Sequence, residues 1–224
     1  MDALPTAAVA DACVRLGVPL RVAALRPVLP GRRVAGPVVP ARHAGSVDVF
    51  FEAVRAAPAG FLLAVDNGGR LDEGCVGDLT ALEARAHGGA GMLVWGAHRD
   101  TADLARMGFP VWSLGACPAG PVRVDARPPD ALEAATVGRA TARRGDWAYA
   151  DDDGAVFVAG QGRAEVEALA RQVVATERRQ AGLAEAGIPL GRQLDFEGYL
   201  AARARDPALT FRAHLRQRGG AIEE

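Results

Sequence analysis

The sequence of 224 residues contains no lysine, and all 26 of its basic residues are arginine. Without an ε-amino group no Schiff base can form on a lysine side chain, so lysine-dependent aldolases and pyridoxal phosphate enzymes are excluded. A Walker A phosphate-binding loop is excluded as well, because that motif requires its lysine. Aldolase chemistry in this chain would therefore have to follow a metal-assisted route.

Serine, cysteine and histidine are also scarce. The two serines, Ser46 and Ser113, both lie outside the G-x-S-x-G pattern of a serine hydrolase. The cysteines, Cys13, Cys75 and Cys117, are far apart and form no C-x-x-C pair, which argues against a disulfide framework or a zinc ribbon. The four histidines show no H-x-x-x-H spacing, which argues against a histidine-rich zinc site.

Charge of either sign is not in excess, since the formal net charge is −1. This balance indicates neither nucleic acid nor a membrane surface as a partner. No apolar run approaches the ~20 residues of a spanning helix, and "MDALPTAAVA" lacks the features of a signal peptide. With half of its residues hydrophobic, the chain can bury one sizeable core, so we expect a cytoplasmic enzyme or binding protein.

The centre of the chain alternates apolar runs with helical patterns. The runs cover residues 61–66, 91–96 and 109–115, and helical patterns occupy about 78–87 and the stretch after Thr101. This order predicts an α/β fold whose strands pair in parallel through right-handed crossovers. The wholly apolar strands are typical of a sheet covered on both faces.

Helix signals refine this prediction. In the 78–87 helix, Leu79, Leu82 and Ala86 share one face, which we expect to contact the core. Thr6 is the predicted cap of a helix over residues 7–16, and Ser46 the predicted cap of the helix that follows it.

The flanking regions are less regular. The proline-rich stretch 25–42 predicts a loop followed by an irregular or edge strand. Beyond Pro118 we expect short strands, including "PVRVDA" and "ATVGRAT", and then a hairpin around Asp151–Gly154. The "DDDG" of that hairpin could chelate a cation, but Asp and Gly are ordinary turn residues and this interpretation is favoured.

The C-terminal part is predicted to be helical. A long amphipathic helix is expected from Arg163 to about Ala186, with short helices near 195–205 and 210–218. We therefore divide the chain into a main domain, residues 1–186, and a helical tail, residues 187–224.

A candidate site follows from the predicted sheet. Ligands of parallel α/β sheets bind beyond the carboxyl ends of the strands. Asp66, the loop 68–78 and the pair Arg99–Asp100 follow two such strands, so they can face one crevice. The amides of Gly77–Leu79 open a helix, which makes a seat for an anion.

The charged residues of this crevice indicate its chemistry. Arg99 offers a planar fork to a carboxylate. Asp78 and Asp100 offer hard oxygen ligands suited to Mg²⁺ or Mn²⁺. On the residues alone a second interpretation stays open, in which Asp100 caps the next helix and Arg99 pairs locally.

The stretch "VDNGGRLDEGCVGDLTALEARAHGGAGMLVWGAHRDTADLARMGFPVW" resembles the family named for the regulator of ribonuclease activity A, which includes the 4-hydroxy-4-methyl-2-oxoglutarate aldolases. The segments "TAAVADACVRLG", "LPGRRVAGPVV" and "RGDWAYADDDGAVFVA" are similar to other parts of that family. The most specific element is an Asp, twenty residues, then Arg-Asp, which Asp78 and Arg99–Asp100 match.

The resemblance implies roles for these residues. Asp100 would hold the divalent metal, and Arg99 would contact the pyruvyl part of the substrate. Asp78 would order metal-bound water, and the amides of Gly77–Leu79 would receive the substrate oxyanion. Val76 and Trp95 depart from the family pattern, and we expect both to flank the pocket and to affect the choice of substrate.

The resemblance also implies a fold and an assembly. It predicts a swivelling β/β/α domain with a central, mostly parallel sheet, a second strand layer and a helical tail. Rings of three subunits, sometimes stacked as six, would place the sites at subunit interfaces, so a homotrimer or homohexamer is expected.

The function implied is that of a metal-dependent lyase. It would cleave a 4-hydroxy-2-oxo acid to pyruvate and a second carbonyl compound, or decarboxylate oxaloacetate, through a pyruvate enolate. Two alternatives remain: a non-catalytic regulator that binds a ribonuclease, and a pathway-specific lyase acting on an unusual oxo acid.

Overall fold

The computed structural model describes residues 3–216, which form a mixed α/β fold with helices at the C-terminal end. The helices of this part are α1 (Thr6–Arg15), α2 (Asp48–Arg55), α3 (Asp78–Ala86), α4 (Thr101–Met107), α5 (Arg163–Glu185), α6 (Leu190–Gln193), α7 (Phe196–Arg205) and α8 (Phe211–Arg216). The strands are β1 (Arg21–Ala23), β2 (Arg26–Pro27), β3 (Val34–Arg42), β4 (Leu62–Asp66), β5 (Gly74–Val76), β6 (Gly91–Trp95), β7 (Ala97–His98), β8 (Val111–Ser113), β9 (Gly115–Ala116), β10 (Ala134–Val137), β11 (Ala140–Arg143), β12 (Asp146–Asp151) and β13 (Gly154–Ala159).

The main sheet has eight strands in the order β1-β13-β12-β3-β4-β6-β8-β2. Its centre, β3-β4-β6-β8, is parallel, as the alternation of strands and helices predicts. A small parallel sheet, β5-β7-β9, continues beyond the carboxyl ends of this centre, and β10 and β11 form a separate hairpin. The loops that carry the predicted site residues therefore leave the same end of the sheet.

Strand β3 corrects the expectation of an irregular or edge strand, because it lies inside the sheet. It pairs with β12 through residues 34–37 and with β4 through residues 38–42. Proline lacks the N–H of an interior strand residue, and Pro37 stands where β3 changes from one partner to the other. The proline pattern therefore marked a change of partner and not a sheet edge.

Successive side chains of each strand point to opposite faces of the sheet, and they fill two separate cores. Leu63 and Val65 of β4 face α2, α3 and α4 on one side of the sheet. Leu62 and Ala64 face the opposite side, where they pack with the β10–β11 hairpin and Trp112. Both faces of the parallel centre are therefore covered, as its apolar strands predict.

Two predicted helix caps are wrong. Helix α1 begins at Thr6 with Pro5 as its N-cap, and the Thr6 amide and hydroxyl both donate to the Asp151 carboxylate, at 2.8 and 2.6 Å. Helix α2 is preceded by Val47 and not by Ser46. In the first case a distant carboxylate supplies the acceptor that local sequence rules assign to Thr6 itself.

The predicted buried face of α3 is also wrong. Leu79 is 72% exposed and Leu82 38%, whereas Ala81 and Ala84 are fully buried. Ala81 and Ala84 are the residues of this helix that pack into the core under the sheet. The larger side chains face outward and line a groove with Phe51 of α2.

The stretch "PVRVDA" forms no strand, which corrects a further prediction. It runs in extended form, with Val122 and Val124 almost fully exposed and Arg123 turned inward. Its anchors are the hydrogen bond from the Asp125 amide to the Ala44 carbonyl, 2.8 Å, and the ion pair of Arg123 with the buried Glu73. Polar anchors therefore hold this segment in place of a sheet ladder.

The last helices pack around an aromatic cluster of Phe196, Tyr199, Phe211 and His214. Helices α7 and α8 agree with the short helices expected in the tail, although residues 217–218 lie outside the described residues. The domain boundary after residue 186 stays a prediction. Within residues 3–216, no helix combines the length and apolarity required to span a membrane.

Gly36 provides a test of the packing of β3. A β-carbon at this position would overlap the backbone carbonyl oxygen of Gly60, and backbone cannot swing aside as a side chain can. We expect Gly36→Ala to lower the free energy of unfolding by about 3 kcal/mol, measured by urea denaturation. Gly182→Ala, at a helix position with open space around it, should be neutral or slightly stabilising. Equal stability of the two variants would contradict the packing described for β3.

Candidate functional site

The sequence-predicted residues Gly77, Asp78, Arg99 and Asp100 lie together at the carboxyl end of the sheet. Strand β5 ends directly before Gly77, and its parallel neighbour β7 ends directly before Arg99. The Arg99 amide donates to the Val76 carbonyl at 2.8 Å, which fixes the two strand ends against each other. Strand pairing therefore explains how residues separated by 22 positions become neighbours.

The orientation of Asp100 bears on the two interpretations left open by the sequence. Asp100 occupies the N-cap position of α4, yet its side chain makes no capping hydrogen bond there. Its Oδ2 instead lies 3.4 Å from the Asp78 amide at the start of α3 and 3.5 Å from Arg99 Nε. The local Arg99–Asp100 pair is present, but the predicted cap is not, and the carboxylate faces the neighbouring helix.

The backbone of Asp100 supports this orientation. Its φ is 57° and its ψ is 40°, in the left-handed region that residues with a β-carbon visit only at a cost. Asp is among the few such residues that tolerate this conformation. Strain of this kind persists where the surrounding structure fixes it, and it is common at functional sites.

Gly77 is needed for the close approach of Asp100. A β-carbon on Gly77 would overlap Asp100 Oδ2 and would press on the Arg99 side chain. Gly77 also exchanges hydrogen bonds with the Thr80 hydroxyl, which accepts from the Gly77 amide at 2.9 Å and donates to its carbonyl at 2.8 Å. These contacts define the first turn of α3.

The N-terminus of α3 carries the positive end of the helix dipole, as expected for an anion seat. Two carboxylates of the chain itself already face it. Asp78 Oδ1 accepts from the Leu79 amide at 2.7 Å, and Asp100 Oδ2 lies near the Asp78 amide. A substrate oxyanion at the Gly77–Leu79 amides would therefore have to share or replace these contacts.

A segment distant in sequence covers Arg99. A β-carbon on Gly120 would lie 2.8 Å from Arg99 Nη1, and one on Gly74 would lie 3.0 Å from Arg99 Cβ. The Gly74 amide donates to the Ala119 carbonyl at 2.7 Å, which holds the two glycines on the same side. No sequence motif pointed to Gly120, since its contact with Arg99 depends on the path of the irregular segment 117–125.

His98, which the sequence analysis did not assign to the site, stabilises the strand end that precedes Arg99. Its ring nitrogens lie 2.8 Å from the Ser113 hydroxyl and 2.9 Å from the Thr101 hydroxyl. Burial lowers the pKa of this imidazole, which favours the neutral form. Because His98 directly precedes Arg99, these two contacts hold β8 and the start of α4 close to Arg99.

Three other residues considered in the sequence lie elsewhere. The Asp66 carboxylate accepts from the Gly68 and Thr136 amides and does not join the crevice. The side chain of Val76 belongs to the buried core, so only its carbonyl faces Arg99. Trp95 packs near Gly69 and Gly138, and its effect on the choice of substrate stays a prediction.

The donor set around Asp100 fits a hard, hydrated divalent cation. Residues 3–216 contain no group of three or more His, Cys, Asp or Glu side chains placed to enclose a metal. Mg²⁺ does not need one, since it binds through one or two carboxylates and keeps several waters. Asp100 is one-third exposed and Asp78 is nearby.

A surface cleft of about 730 Å³ lies elsewhere, between residues 31–35 and the Asp151–Asp153 turn. Asp151 accepts from Thr6, and Asp152 accepts from the Gly31 amide at 2.8 Å. The "DDDG" residues thus form the β12–β13 turn, as favoured above, and they hold neighbouring segments in place. Size alone does not make this cleft the better candidate.

Comparisons with known proteins identify the family of the chain. Residues 6–157 match the family described as "RraA-like: Aldolase/RraA". A protein of Alkalilimnicola ehrlichii named "Putative 4-hydroxy-4-methyl-2-oxoglutarate aldolase" is 33% identical over 124 residues, covering 55% of this chain and 76% of that protein.

Two solved structures are similar in fold. An uncharacterized protein from Pseudomonas syringae has a TM-score of 0.69 at 26% identity, covering 82% of this chain and 89% of that one. Streptomyces coelicolor RraAS2, described as an unusual member of the RNase ES inhibitor RraA protein family, has a TM-score of 0.65 at 22% identity, covering 80% and 90%. The extent of the family match, together with the Asp78…Arg99–Asp100 spacing, shows that the chain belongs to the RraA-like family.

Proposed function

We propose that this protein is a divalent-metal-dependent lyase that releases pyruvate from a 4-hydroxy-2-oxo acid, and that it also decarboxylates oxaloacetate. The observation that carries the proposal is the turn of the Asp100 carboxylate away from α4 and toward Arg99 and the start of α3. Relatives named as 4-hydroxy-4-methyl-2-oxoglutarate aldolases support the substrate class.

The residues present fit the chemistry of such a reaction. Asp100 would hold Mg²⁺ or Mn²⁺, with Asp78 beside it, and the bound cation would supply Lewis-acid stabilisation of negative charge on the substrate. Arg99 would bind the carboxylate of the pyruvyl part through its guanidinium fork. The dipole of α3 would favour the same developing charge.

The proposed cleavage breaks the bond between C3 and C4 of the substrate. The C4 hydroxyl passes its proton through a water to the Asp78 carboxylate, which acts as the base, and becomes the carbonyl of the leaving fragment, while the bonding electrons form a pyruvate enolate. A water ordered by Asp78 then returns a proton to C3 and gives pyruvate. With oxaloacetate the leaving fragment is CO₂, and the same protonation completes the reaction.

The alternative, a non-catalytic regulator of a ribonuclease, has one observation in its favour. Val122 and Val124 expose nearly all of their apolar surface in the segment 117–125, as a protein-binding surface would. The third possibility, a lyase for an unusual oxo acid, uses the same site residues and differs only in the fragment released.

One experiment separates these functions. Pyruvate release is measured with Mg²⁺ from 4-hydroxy-4-methyl-2-oxoglutarate, oxaloacetate and further 4-hydroxy-2-oxo acids, and ribonuclease inhibition is measured on the same preparation. We expect saturable pyruvate release from at least one acid. Inhibition of a ribonuclease without pyruvate release from any acid would favour the regulator and contradict the lyase.

We further propose a homotrimer or homohexamer, as expected for this family. The exposed groove of Phe51, Leu79 and Leu82 begins beside Asp78, so a neighbouring subunit seated there would border the site. Light scattering after size-exclusion chromatography measures the assembly directly. The cytoplasmic location expected from the sequence stays a prediction.

Gly120 tests whether the segment over Arg99 positions that side chain. A methyl group at this position would push against Arg99 Nη1, and small misplacements of a binding group can cost about 10²-fold in rate. We expect Gly120→Ala to lower kcat/KM by 10- to 100-fold without a change in the thermal midpoint. Gly182→Ala serves as the matched control, and equal activity of the two variants would show that Arg99 tolerates displacement.

A further inference from the structure

Residues 120–124 pass over the candidate site without main-chain hydrogen bonds to other parts of the chain that the structure describes. The main-chain hydrogen bonds on either side of this stretch are those of the Ala119 carbonyl and the Asp125 amide. Gly120 begins the stretch, and a β-carbon on it would lie 2.8 Å from Arg99 Nη1. Because main-chain bonds do not fix the path of these residues, a side chain has to do so.

Arg123 is the residue of this stretch whose side chain turns inward. Its side chain is 22% exposed, whereas the neighbouring Val122 and Val124 are 96% and 82% exposed. The main chain passes directly over Gly45, where a β-carbon would overlap the Arg123 carbonyl oxygen. The two valines contribute almost no apolar burial, so the side chain of Arg123 is the main attachment of the stretch.

Each nitrogen of the Arg123 guanidinium group faces an acceptor. Nε donates to Glu73 Oε1 at 3.1 Å, and Nη2 lies 3.0 Å from the same oxygen. Nη2 also donates to Asn67 Oδ1 at 2.8 Å, and Nη1 donates to the Asp125 carboxylate. Glu73 is 4% exposed, and its contact with Arg70 is longer, at 3.6 Å. A buried carboxylate needs a close cation, so Glu73 holds Arg123 more firmly than an exposed partner would.

The ion pair with Glu73 connects the stretch over Arg99 to the strand beneath it. Glu73 directly precedes β5, the strand that leads to the N-terminus of α3. Two residues separate Gly120 from Arg123, and one of them is Pro121, whose ring fixes its φ. Such a short and stiff connection transmits a displacement of Arg123 to Gly120, and so to the contact with Arg99.

We propose that Arg123 is a positioning residue that acts through Arg99. Its ion pair with Glu73 keeps Gly120 against the Arg99 guanidinium group and thereby fixes the orientation of that group. The inference rests on the function proposed above, in which Arg99 binds the carboxylate of the pyruvyl part. Arg123 itself does not contact the substrate, so its loss should weaken substrate binding and leave the chemical step nearly unchanged.

The test removes both charges of the pair, because Arg123→Gln alone would leave Glu73 buried without its close cation and could prevent folding. In Glu73→Gln/Arg123→Gln we expect KM for oxaloacetate, measured with Mg²⁺ as pyruvate release above the rate without protein, to rise roughly 10-fold while kcat stays within about 2-fold. Glu52→Gln/Arg127→Gln removes a matched pair, 2.6 Å apart and attached to the same irregular part of the chain, and should leave both constants unchanged.

A second comparison separates positioning from a general loss of structure. If Arg123 acts through Arg99, Glu73→Gln/Arg123→Gln should lower kcat/KM no further in an Arg99→Ala protein. Damage that is independent of Arg99 would instead lower kcat/KM by the same factor in both backgrounds, and that result would overturn the proposal.

Hydrogen exchange tests the attachment of the stretch without any catalytic activity. The Asp125 amide donates to the Ala44 carbonyl at 2.8 Å. We expect this amide to exchange about 10-fold faster in Glu73→Gln/Arg123→Gln, measured by mass spectrometry of the peptide that contains it. Unchanged exchange, or an unchanged KM in a protein that releases pyruvate, would overturn the role of Arg123. Faster exchange in the variant without pyruvate release by the wild-type protein would instead contradict the proposed function, and the positioning role with it, while the attachment by Arg123 would stand.

Discussion

Replacing Asp100 with alanine should abolish pyruvate release while leaving the fold intact. The side chain caps nothing in α4, so its loss removes the oxygen that we propose binds the metal, and alanine at the positive φ of this residue costs about 1–2 kcal/mol, which should not unfold the protein. Loss of a charge-stabilising group in an active site costs on the order of 10³-fold in kcat. The prediction is checked by steady-state kinetics at saturating Mg²⁺, with circular dichroism and a thermal midpoint to establish folding.

Two further variants sharpen this prediction. Asp100→Asn preserves the size of the side chain and the tolerance for positive φ. A loss of pyruvate release in this variant would therefore be due to the lost charge. Asp103→Asn, in the first turn of the same helix, removes a carboxylate that pairs only with Arg106 among the ion pairs of residues 3–216 and should retain activity. Wild-type pyruvate release by a folded Asp100→Ala protein would contradict a role for Asp100 in the reaction.

Replacing Arg99 with lysine should lower kcat/KM by about 10²-fold, although the charge is conserved. An ammonium group cannot bind a carboxylate through two parallel N–H bonds, and a shorter reach also changes the contact under Gly120. Arg85→Lys, on the exposed side of α3, is the matched control and should behave like the wild type. Near-normal kinetics of Arg99→Lys would show that Arg99 acts only as a diffuse charge.

The parallel centre of the fold could be predicted from the sequence because each strand is a continuous apolar run and each crossover is a periodic helix. Strand β3 could not, since its prolines are typical of an edge, and its change of partner at Pro37 depends on β12, more than 100 residues away. The buried face of α3 was missed for a related reason: which face packs on the sheet is a tertiary property, and here Ala81 and Ala84 are buried in place of the leucines.

The candidate site could likewise be predicted only in part from the sequence. Asp78, Arg99 and Asp100 could be proposed from their positions after neighbouring strands and from their spacing. The contribution of Gly120 could not, because an irregular segment brings it to Arg99 without any local signal.

The central claim is that a chain without lysine releases pyruvate through a divalent cation held at Asp100. The most direct measurement is pyruvate release from an active oxo acid before EDTA treatment, after it, and after addition of Mg²⁺ or Mn²⁺, with borohydride added to a parallel sample and the protein analysed by mass spectrometry. The account predicts that activity is lost with EDTA, that it returns with the metal, and that the chain carries no reduced pyruvate adduct. In a chain without lysine, the α-amino group at the N-terminus is the amine that could form an imine. An adduct on the N-terminal peptide together with activity that EDTA does not reduce would contradict the account.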